Sequence, residues 1–325
     1  MSKTKIRVGI IGGAGYTAGE LVRILLCHPN AELKYIQSSS NNGQPVSSVH
    51  RDLFGETDLV FSEIDLQDVD VLFLCSGHGK SIEFMSRTTL PGNVKIIDLS
   101  HDFRLKRAEN DFVYGLPELN RKAISSSARI ANPGCFATGI QLALLPLAAA
   151  GLIQDNLHVH AITGSTGAGQ EPSKISHFSW RDNNLSVYKA FEHQHLGEIR
   201  QSLEQAQPGL SHELFFIPVR GNHTRGIFTT IHTSFDGTLA DACQIYESFY
   251  KAHPFVHLTD ENPDLKQVVN TNKCVLYLEK HGSQLMIISC IDNLLKGASG
   301  QAVQNMNLMF GLEETTGLYL KASAF

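Results

Sequence analysis

The apolar residues of the first hundred positions fall into short continuous runs. These runs cover residues 6–11, 32–37, 69–75 and 94–99, while residues 19–27 carry apolar side chains at helical spacing. Continuous apolar runs are typical of strands that are buried on both faces of a parallel sheet. Because such strands alternate here with helices, the pattern predicts an N-terminal α/β domain with a Rossmann-type, doubly wound parallel sheet.

After about residue 135 the pattern changes to longer strands that are partly joined by hairpins. Strands are predicted at residues 157–163, 214–219, 226–235, 274–279 and 284–291, and helices at residues 192–206, 239–253 and 298–311. The segment His281-Gly282-Ser283 is typical of a hairpin turn. We therefore expect a second, α+β domain with a mixed, largely antiparallel sheet.

Composition excludes several classes of protein. The 325 residues are 42% hydrophobic and 18% charged, with a net charge of -5, which is typical of a globular chain without a nucleic-acid-binding surface. The apolar stretch at residues 140–153 is shorter than the ~20 residues that span a bilayer, and the N-terminal run is too short for a signal peptide. We expect a cytoplasmic protein that binds neither nucleic acid nor membrane.

The six cysteines show no metal-site spacing, and no metal site is predicted. They are Cys27, Cys75, Cys135, Cys243, Cys274 and Cys290, and no two of them form a CxxC pair. Reduced thiols in a cytoplasmic enzyme fit this spacing better than a disulfide framework does.

A glycine-rich loop joins the first strand to the first helix. Glycines there allow a pyrophosphate to approach the backbone, and the helix N-terminus offers free N–H groups to the anion. The spacing GxxGxxxG is less specific than GxGxxG, so a turn without a ligand is the alternative. The predicted cofactor contacts are Gly12, Gly13, Ala14, Gly15, Tyr16 and Thr17.

The end of the second predicted strand indicates which dinucleotide is bound. An NAD site usually has an acidic residue there, but this chain has Ser38, Ser39 and Ser40. Hydroxyl groups can donate hydrogen bonds to a 2′-phosphate, which a carboxylate would repel. The three serines therefore favour NADP, although an ordinary polar loop is the alternative.

Cys135 differs from the other cysteines because it follows Asn132-Pro133-Gly134 and opens an apolar helix. Asn is a favoured N-cap and Pro a favoured first helical residue, which predicts Asn132 as the N-cap and places Cys135 in the first turn. The helix dipole favours a thiolate there, and the thiolate is the nucleophile.

A proton partner for this thiol is predicted in the segment 192–199. In a helix, His195 and Glu198 would lie three residues apart on one face, so the carboxylate could orient the imidazole. His193 would then point elsewhere. Because the chain has 15 histidines, the alternative is that these are exposed polar residues on a surface helix.

Five segments together resemble the N-acetyl-gamma-glutamyl-phosphate reductase family, which is related in fold to aspartate-semialdehyde dehydrogenase and glyceraldehyde-3-phosphate dehydrogenase. They are GGAGYTAGEL at 12–21, DLSHDFRL at 98–105, YGLPELN at 114–120, NPGC at 132–135 and DNLLKGASGQA at 292–302. The resemblance extends over almost the whole chain. It implies reduction of N-acetyl-gamma-glutamyl phosphate to N-acetylglutamate 5-semialdehyde by NADPH through a cysteine thioester, in arginine biosynthesis.

The resemblance also implies roles for single residues. Cys135 matches the catalytic thiol, His195 the catalytic histidine and Glu198 the acid that supports it. Arg104, Asn132 and Arg225 lie in segments that face the substrate in the family. By the same resemblance, residues 1–134 and 297–325 form the NADP-binding domain, residues 135–296 form the catalytic and oligomerisation domain, and the chain is a dimer or tetramer.

Several positions depart from the family pattern. Gln170 replaces a common Arg, Arg220 a common apolar residue, His101 a common Ala, and Val219 a common His. Arg220 and Gln170 motivate an alternative acyl group, such as N-succinyl. An aspartate-semialdehyde dehydrogenase-like enzyme and a catalytically silent NADP-binding protein are the further alternatives.

Overall fold

The computed structural model describes residues 5–324, and they form two compact units. Unit 1 contains residues 5–133 together with Ala298–Tyr319, and unit 2 contains Gly134–Gly297 together with residues 320–324. The tail groups with unit 2, where the backbone N–H of Ser323 donates to the carbonyl of Val269. Which unit binds the cofactor and which performs catalysis stays a prediction at this point.

Unit 1 is built on a six-stranded sheet of order β2-β1-β3-β4-β6-β5. Every neighbouring pair in it is parallel. The predicted Rossmann-type parallel sheet is therefore confirmed. Its strands are β1 Ile6–Ile11, β2 Ala31–Gln37, β3 Val71–Leu74, β4 Lys95–Asp98, β5 Val113–Tyr114 and β6 Arg129–Ala131.

Among its described residues, unit 1 also has four α-helices: α1 Tyr16–Leu26, α2 Lys80–Arg87, α3 Pro117–Ser126 and α8 Gly300–Met309. Helix α8 is almost entirely buried and packs against α1, α3 and β4. The last helix of the chain thus returns to the parallel sheet and contributes to the core of unit 1.

Unit 2 is built on a seven-stranded sheet of order β11-β12-β13-β10-β7-β9-β8. Two of its neighbouring pairs are parallel and the other four are antiparallel. The predicted mixed, largely antiparallel sheet is confirmed. Its strands are β7 Leu157–Thr163, β8 Ser186–Val187, β9 Leu214–Arg220, β10 Ile227–Ser234, β11 Val256–Thr259, β12 Cys274–His281 and β13 Gln284–Ile291.

Helix α4, Cys135–Ala149, is the central helix of unit 2. All of its residues from 136 to 148 are buried, because it packs against β10, β12 and β13 as well as against two other helices. A helix that is apolar all round has to be enclosed in this way. The other helices of unit 2 are α5 Phe178–Arg181, α6 Leu196–Ala206 and α7 Leu239–Tyr250.

The sheet of unit 2 has a second face that carries exposed side chains. Along β7, Leu157, Val159 and Ala161 are buried, whereas His158 and His160 between them are exposed. Phe215 of β9 is 36% exposed on this sheet. Within the described residues, no helix has the length and apolarity that crossing a membrane requires.

Candidate active site

Cys135 is the first residue of α4, and Gly134 is the N-cap. The predicted N-cap, Asn132, is wrong, because the Asn132 side chain is engaged elsewhere. Its Nδ2 donates to the carbonyl of Ala298 at 3.0 Å, and its Oδ1 accepts from Asn305 Nδ2 at 3.0 Å. Cys135 remains partly exposed while the residues after it are buried. A partly exposed thiol at a helix N-terminus is well placed to react.

Glu198 joins the start of α4 to His195. One carboxylate oxygen accepts the backbone N–H of Gly134 at 2.9 Å, and the other lies 3.8 Å from His195 Nε2. Both side chains are buried, with 9% of His195 and 3% of Glu198 exposed. The residue before the thiol, the carboxylate and the imidazole therefore form one cluster, so the alternative of a surface helix with exposed polar residues is wrong.

The helix that carries Glu198 begins later than predicted. Helix α6 starts at Leu196 with His195 as its N-cap, whereas the apolar pattern predicted a start at residue 192. Lys189 and Phe191 have φ angles of 46° and 62°, in the left-handed region, which keeps the preceding chain in turns. The spacing of His195 and Glu198 survives this correction, because the N-cap still lies over the first turn.

His193 does not point away from the cluster, as was predicted. It is buried, its Nδ1 accepts the backbone N–H of His195 at 3.3 Å, and the two rings lie 4.6 Å apart. Burial lowers the pKa of His193 to about 4, with help from Lys189 and Arg220 against the opposing effect of Glu198. The neutral His193 ring therefore supports the backbone of His195, which the helical pattern did not predict. The His-x-His spacing in the sequence could have indicated this role.

Tyr188 and Arg220 are in contact with each other in unit 2. The guanidinium of Arg220 lies over the Tyr188 ring, 4.6 Å from its centre. Burial raises the pKa of the Tyr188 hydroxyl, and the charge of Cys135 adds to this effect while Arg220 opposes it. The pKa of the Tyr188 hydroxyl therefore responds to the charge of Cys135.

Gly297 packs directly against the thiol. A Cβ added there would lie 2.8 Å from the Cβ of Cys135, so only glycine fits without displacement. Its N–H donates to the carbonyl of Asp292 at 2.9 Å. The buried Asp292 carboxylate in turn pairs with Arg225 at 2.9 Å. Arg225 is therefore anchored to the segment that packs on Cys135.

In unit 1, Arg104 is buried and bonded to backbone. Its Nε donates to the carbonyl of Asn132 at 2.8 Å, and its Nη2 donates to the carbonyl of Leu99 at 2.9 Å. Arg104 thereby joins the loop after β4 to the segment that precedes Cys135 in the chain. Its predicted contact with substrate stays a prediction.

The glycine loop of unit 1 has space and donors for an anion. A Cβ on Gly15 would meet no atom within 4 Å, and among residues 5–324 no side chain caps α1. The first N–H groups of a helix have no acceptor within the helix, so they remain available to a phosphate. Sequence reasoning missed His50, which supports this loop through a 2.7 Å hydrogen bond to the carbonyl of Gly13. The loop fits a dinucleotide pyrophosphate.

The three serines directly follow β2, at the carboxyl end of the strand beside β1. Ser38 is buried, while Ser39 and Ser40 are exposed. Asn41 Nδ2 donates to the hydroxyl oxygens of Ser38 and Ser40, at 2.9 Å each. Because those oxygens accept, their protons can be donated to a phosphate group.

The other cysteines lie in surroundings that disfavour a thiolate or lack the neighbours of Cys135. Burial raises the pKa of Cys75 to about 12 and also raises the pKa of Cys290 and of Cys243. All six cysteines are free thiols. Only Cys135 combines partial exposure, a helix start and the adjacent carboxylate and imidazole.

Two family models match the chain. The model described as semialdehyde dehydrogenase, NAD binding domain, matches residues 7–127, and the model described as semialdehyde dehydrogenase, dimerisation domain, matches residues 135–293. Together they cover most of both units.

Three proteins that are similar to this chain in sequence carry the same name. A Parabacteroides distasonis protein is 61% identical over 98% of this chain and 100% of its own length, and it is named N-acetyl-gamma-glutamyl-phosphate reductase. Proteins with the same name from Phocaeicola vulgatus and Flavobacterium johnsoniae are 59% and 56% identical, over 98% of this chain and 100% of their own lengths.

Solved structures agree in fold. Aspartate semialdehyde dehydrogenase II from Vibrio cholerae, complexed with ASA, has a TM-score of 0.74 at 17% identity and covers 95% of this chain and 99% of that chain. Aspartate semialdehyde dehydrogenase with NADP from Candida albicans has a TM-score of 0.71 at 14% identity, over 94% of this chain and 99% of that chain. At these identities the likeness concerns the fold alone.

Proposed function

We infer that this chain, which belongs to the N-acetyl-gamma-glutamyl-phosphate reductase family, reduces N-acetyl-gamma-glutamyl phosphate to N-acetylglutamate 5-semialdehyde. It is an NADP-dependent oxidoreductase of arginine biosynthesis. The observation that carries the proposal is the cluster at the start of α4, where Glu198 contacts both the N-cap of the thiol helix and His195. A binding protein without catalysis has no need of such a cluster.

We propose that Cys135 is the nucleophile. Its sulfur attacks the acyl carbon, a C–S bond forms, and the C–O bond to phosphate breaks, leaving a thioester on the enzyme. Covalent catalysis divides one difficult reduction into two easier steps. Partial exposure of the thiol at the N-terminus of a buried helix supports this role.

His195 is proposed to carry the proton. It accepts the thiol proton as the sulfur attacks and returns it when the C–S bond breaks and the aldehyde leaves. Glu198 would orient the imidazole and stabilise its protonated form. The N–H of Gly134 is already bonded to Glu198. The N–H groups that follow it in the first turn of α4 would therefore stabilise the oxyanion.

NADP is proposed to bind unit 1 through the glycine loop and the serines after β2. Gly12, Gly13, Ala14, Gly15, Tyr16 and Thr17 would hold the pyrophosphate, and Ser38, Ser39 and Ser40 the 2′-phosphate. When bound, NADPH supplies the hydride that reduces the thioester. Comparing the Michaelis constants of NADPH and NADH tests the serine assignment; a clear preference for NADH would contradict it.

Substrate contacts are proposed for Arg225, Arg104 and Asn132. Arg225 is 20% exposed and fixed by the buried Asp292, so its charge is held in place before substrate arrives. Arg104 and Asn132 would act through the segment before Cys135. An increase in the Michaelis constant of the acyl substrate on Arg225→Lys, without a change in NADPH affinity, tests the first of these roles.

The reverse reaction offers the direct test of function. The purified chain should reduce NADP only when N-acetylglutamate 5-semialdehyde and inorganic phosphate are both present. Aspartate 4-semialdehyde should give no comparable rate. Turnover of the aspartyl compound alone would make this an aspartate-semialdehyde dehydrogenase, and absence of turnover with either would favour a silent NADP-binding protein.

An N-succinyl substrate is the second candidate, and Arg220 favours it. Its guanidinium lies over Tyr188 and, among the described residues, has no carboxylate partner. A positive charge without a carboxylate partner would attract the extra carboxylate of a succinyl group. The test compares turnover of the N-succinyl and N-acetyl forms of glutamate 5-semialdehyde by wild type and by Arg220→Leu. Strict preference of wild type for the N-acetyl form removes the candidate.

Self-association and a cytoplasmic location are also proposed. The exposed face of β7, β9 and β10 forms a concave surface of about 410 Å³ lined by His158, His160, Phe215, Ile217 and His232 among others. A second copy of the chain would cover the exposed Phe215 ring and the imidazoles beside it. Light scattering should give a dimer or tetramer that Phe215→Asp dissociates, and a monomeric wild type would contradict this.

Cell fractionation tests the cytoplasmic location, which the six free thiols support.

A further inference from the structure

Unit 1 contains a cluster of potential metal ligands outside the glycine loop. One ring nitrogen of His78, one of His101 and one carboxylate oxygen of Asp102 all lie within 4.8 Å of one another. His78 lies in the loop between β3 and α2, and His101 and Asp102 follow β4. Because β3 and β4 are neighbouring parallel strands, both loops leave the same edge of the sheet.

Asp102 is the fixed member of the cluster. Its side chain is 2% exposed, and its Oδ1 accepts the N–H of Gly79 at 2.8 Å while its Oδ2 accepts the N–H of Ile82 at 3.3 Å. Among residues 5–324, no lysine or arginine pairs with it. An oriented carboxylate without a cationic side chain beside it can accept a metal ion, since each oxygen retains a second lone pair.

The two imidazoles are held next to this carboxylate. His101 Nδ1 lies 3.1 Å from Asp102 Oδ1, and the backbone N–H of His101 donates to His78 Nδ1 at 3.2 Å. The ring centres of the two histidines are 3.9 Å apart. Donors that each bind Zn²⁺ tetrahedrally at about 2.0–2.1 Å lie about 3.3 Å apart, close to the distance between His101 and Asp102.

Exposure of the rings leaves room for solvent. The side chain of His101 is 46% exposed, and His78 is exposed as well. Two imidazoles and one carboxylate are a ligand set suited to zinc, with water in the remaining position.

We propose that His78, His101 and Asp102 form a binding site for a divalent transition-metal ion, Zn²⁺ by ligand chemistry. The ion would link the loop after β3 to the loop after β4. Sequence reasoning missed this site because His78 and His101 are far apart in the chain and only the parallel pairing of their strands brings them together.

Calorimetric titration of the metal-free, full-length chain with ZnCl₂ at neutral pH tests the proposal. Wild type should bind one equivalent, and His101→Ala should weaken binding by more than about tenfold, since even a lost supporting contact of a metal ligand costs that much. His101 is exposed, so the variant should fold normally. Cobalt(II) should give the visible absorption of a low-coordinate site in wild type and not in His101→Ala.

His281→Ala is the matched control. It removes an exposed imidazole that lies 2.6 Å from the carboxylate of Glu279, outside the cluster. This variant should bind Zn²⁺ like wild type. The proposal is overturned if wild type shows no saturable one-to-one binding, or if His101→Ala retains wild-type affinity.

Discussion

The start of α4 in unit 2 and the glycine loop in unit 1 both place helix N-termini at a proposed site, but they differ in how the N-terminus is used. At α4, the carboxylate of Glu198 accepts the N–H of Gly134 at 2.9 Å. At α1, no side chain within the described residues caps the helix, and the space at Gly15 is open for at least 4 Å.

The difference matches the two tasks. A nucleophile has to be positioned before substrate arrives, so its surroundings are bonded and packed in the protein itself. A cofactor site has to leave donors and volume for a ligand. Changes at α4 should therefore affect turnover, whereas changes at the loop should affect cofactor affinity.

Replacing the sulfur should separate the two regions most sharply. Cys135→Ala is expected to reduce turnover by more than about 10⁴-fold, because the thioester cannot form. NADPH affinity, measured by fluorescence titration, should stay at the wild-type value. Near-normal activity in this variant would show that the start of α4 is not the reacting centre.

Removing the proton carrier comes next in size. His195→Gln should lower kcat by about 10²–10⁴-fold, the usual contribution of general acid–base catalysis. Glu198→Gln can still accept the N–H of Gly134 and should flatten the pH dependence of kcat without loss of fold. Glu198→Ala leaves that N–H unsatisfied and should also lower stability by about 1–3 kcal/mol. The assignment is contradicted if His195→Gln, Glu198→Gln and Glu198→Ala all have wild-type kinetics.

Packing against the sulfur gives the third effect. Gly297→Ala introduces a Cβ at 2.8 Å from the Cβ of Cys135 and 3.2 Å from its Cα. The thiol must move, and kcat should fall on the order of 10²-fold. Gly139→Ala on the same helix is the control, since its Cβ meets nothing closer than 3.5 Å. It should retain activity and gain about 0.5–1 kcal/mol in stability; a wild-type kcat in Gly297→Ala would refute the packing argument.

At the glycine loop we expect a smaller effect, on cofactor affinity rather than on turnover. The new methyl group of Gly15→Ala meets no protein atom within 4 Å, so only a bound ligand can clash with it. We expect the NADPH dissociation constant to rise about tenfold, equivalent to about 1.4 kcal/mol, with stability nearly unchanged. Gly92→Ala, which also meets no atom within 4 Å, is the control and should bind NADPH normally. Equal affinities in the two variants would mean that the open space is not the cofactor site.

The smallest effect concerns the buried, neutral His193. Its pKa is lowered from 6.5 to about 4, so between these values the unfolded chain binds a proton that the folded chain does not. Stability from this group is fully present above about pH 6.5 and is lost as the pH falls towards 4, with a slope of at most about 1.4 kcal/mol per pH unit.

His193→Asn should reduce that slope, because asparagine can still accept the N–H of His195 but does not titrate. Urea unfolding followed by the fluorescence of Trp180, the only tryptophan of the chain and a residue of unit 2, measures it. His212→Asn, an exposed histidine, is the control. An unchanged slope in His193→Asn would contradict the burial argument.

Much of the sheet architecture could be predicted from the sequence. Strands β7 and β13 were predicted with their observed bounds, because long apolar or alternating runs bounded by turn residues leave little freedom. The hairpin at 281–283 was also predicted, and Gly282 there has a φ of 56°. The short strands β5, β6, β8 and β11 were missed, since two to four residues carry no periodicity and are strands only through their neighbours.

The candidate site was predicted in part. Cys135, His195 and Glu198 were selected by residue type and resemblance, and the distances between them came only from the structure. The N-cap of α4 was wrong because Asn132 bonds to residues more than 160 positions away along the chain. Gly297 and Tyr188 also act through contacts with residues far away in the chain, which local patterns do not encode.

The central claim is a covalent bond between Cys135 and the substrate. Incubation with N-acetyl-gamma-glutamyl phosphate in the absence of NADPH, acid quenching and peptide mass spectrometry tests it most directly. We predict an N-acetylglutamyl thioester on Cys135 that disappears when NADPH is added before the quench. Full turnover without any acyl adduct, or an adduct on another cysteine that reacts with NADPH, would contradict the account.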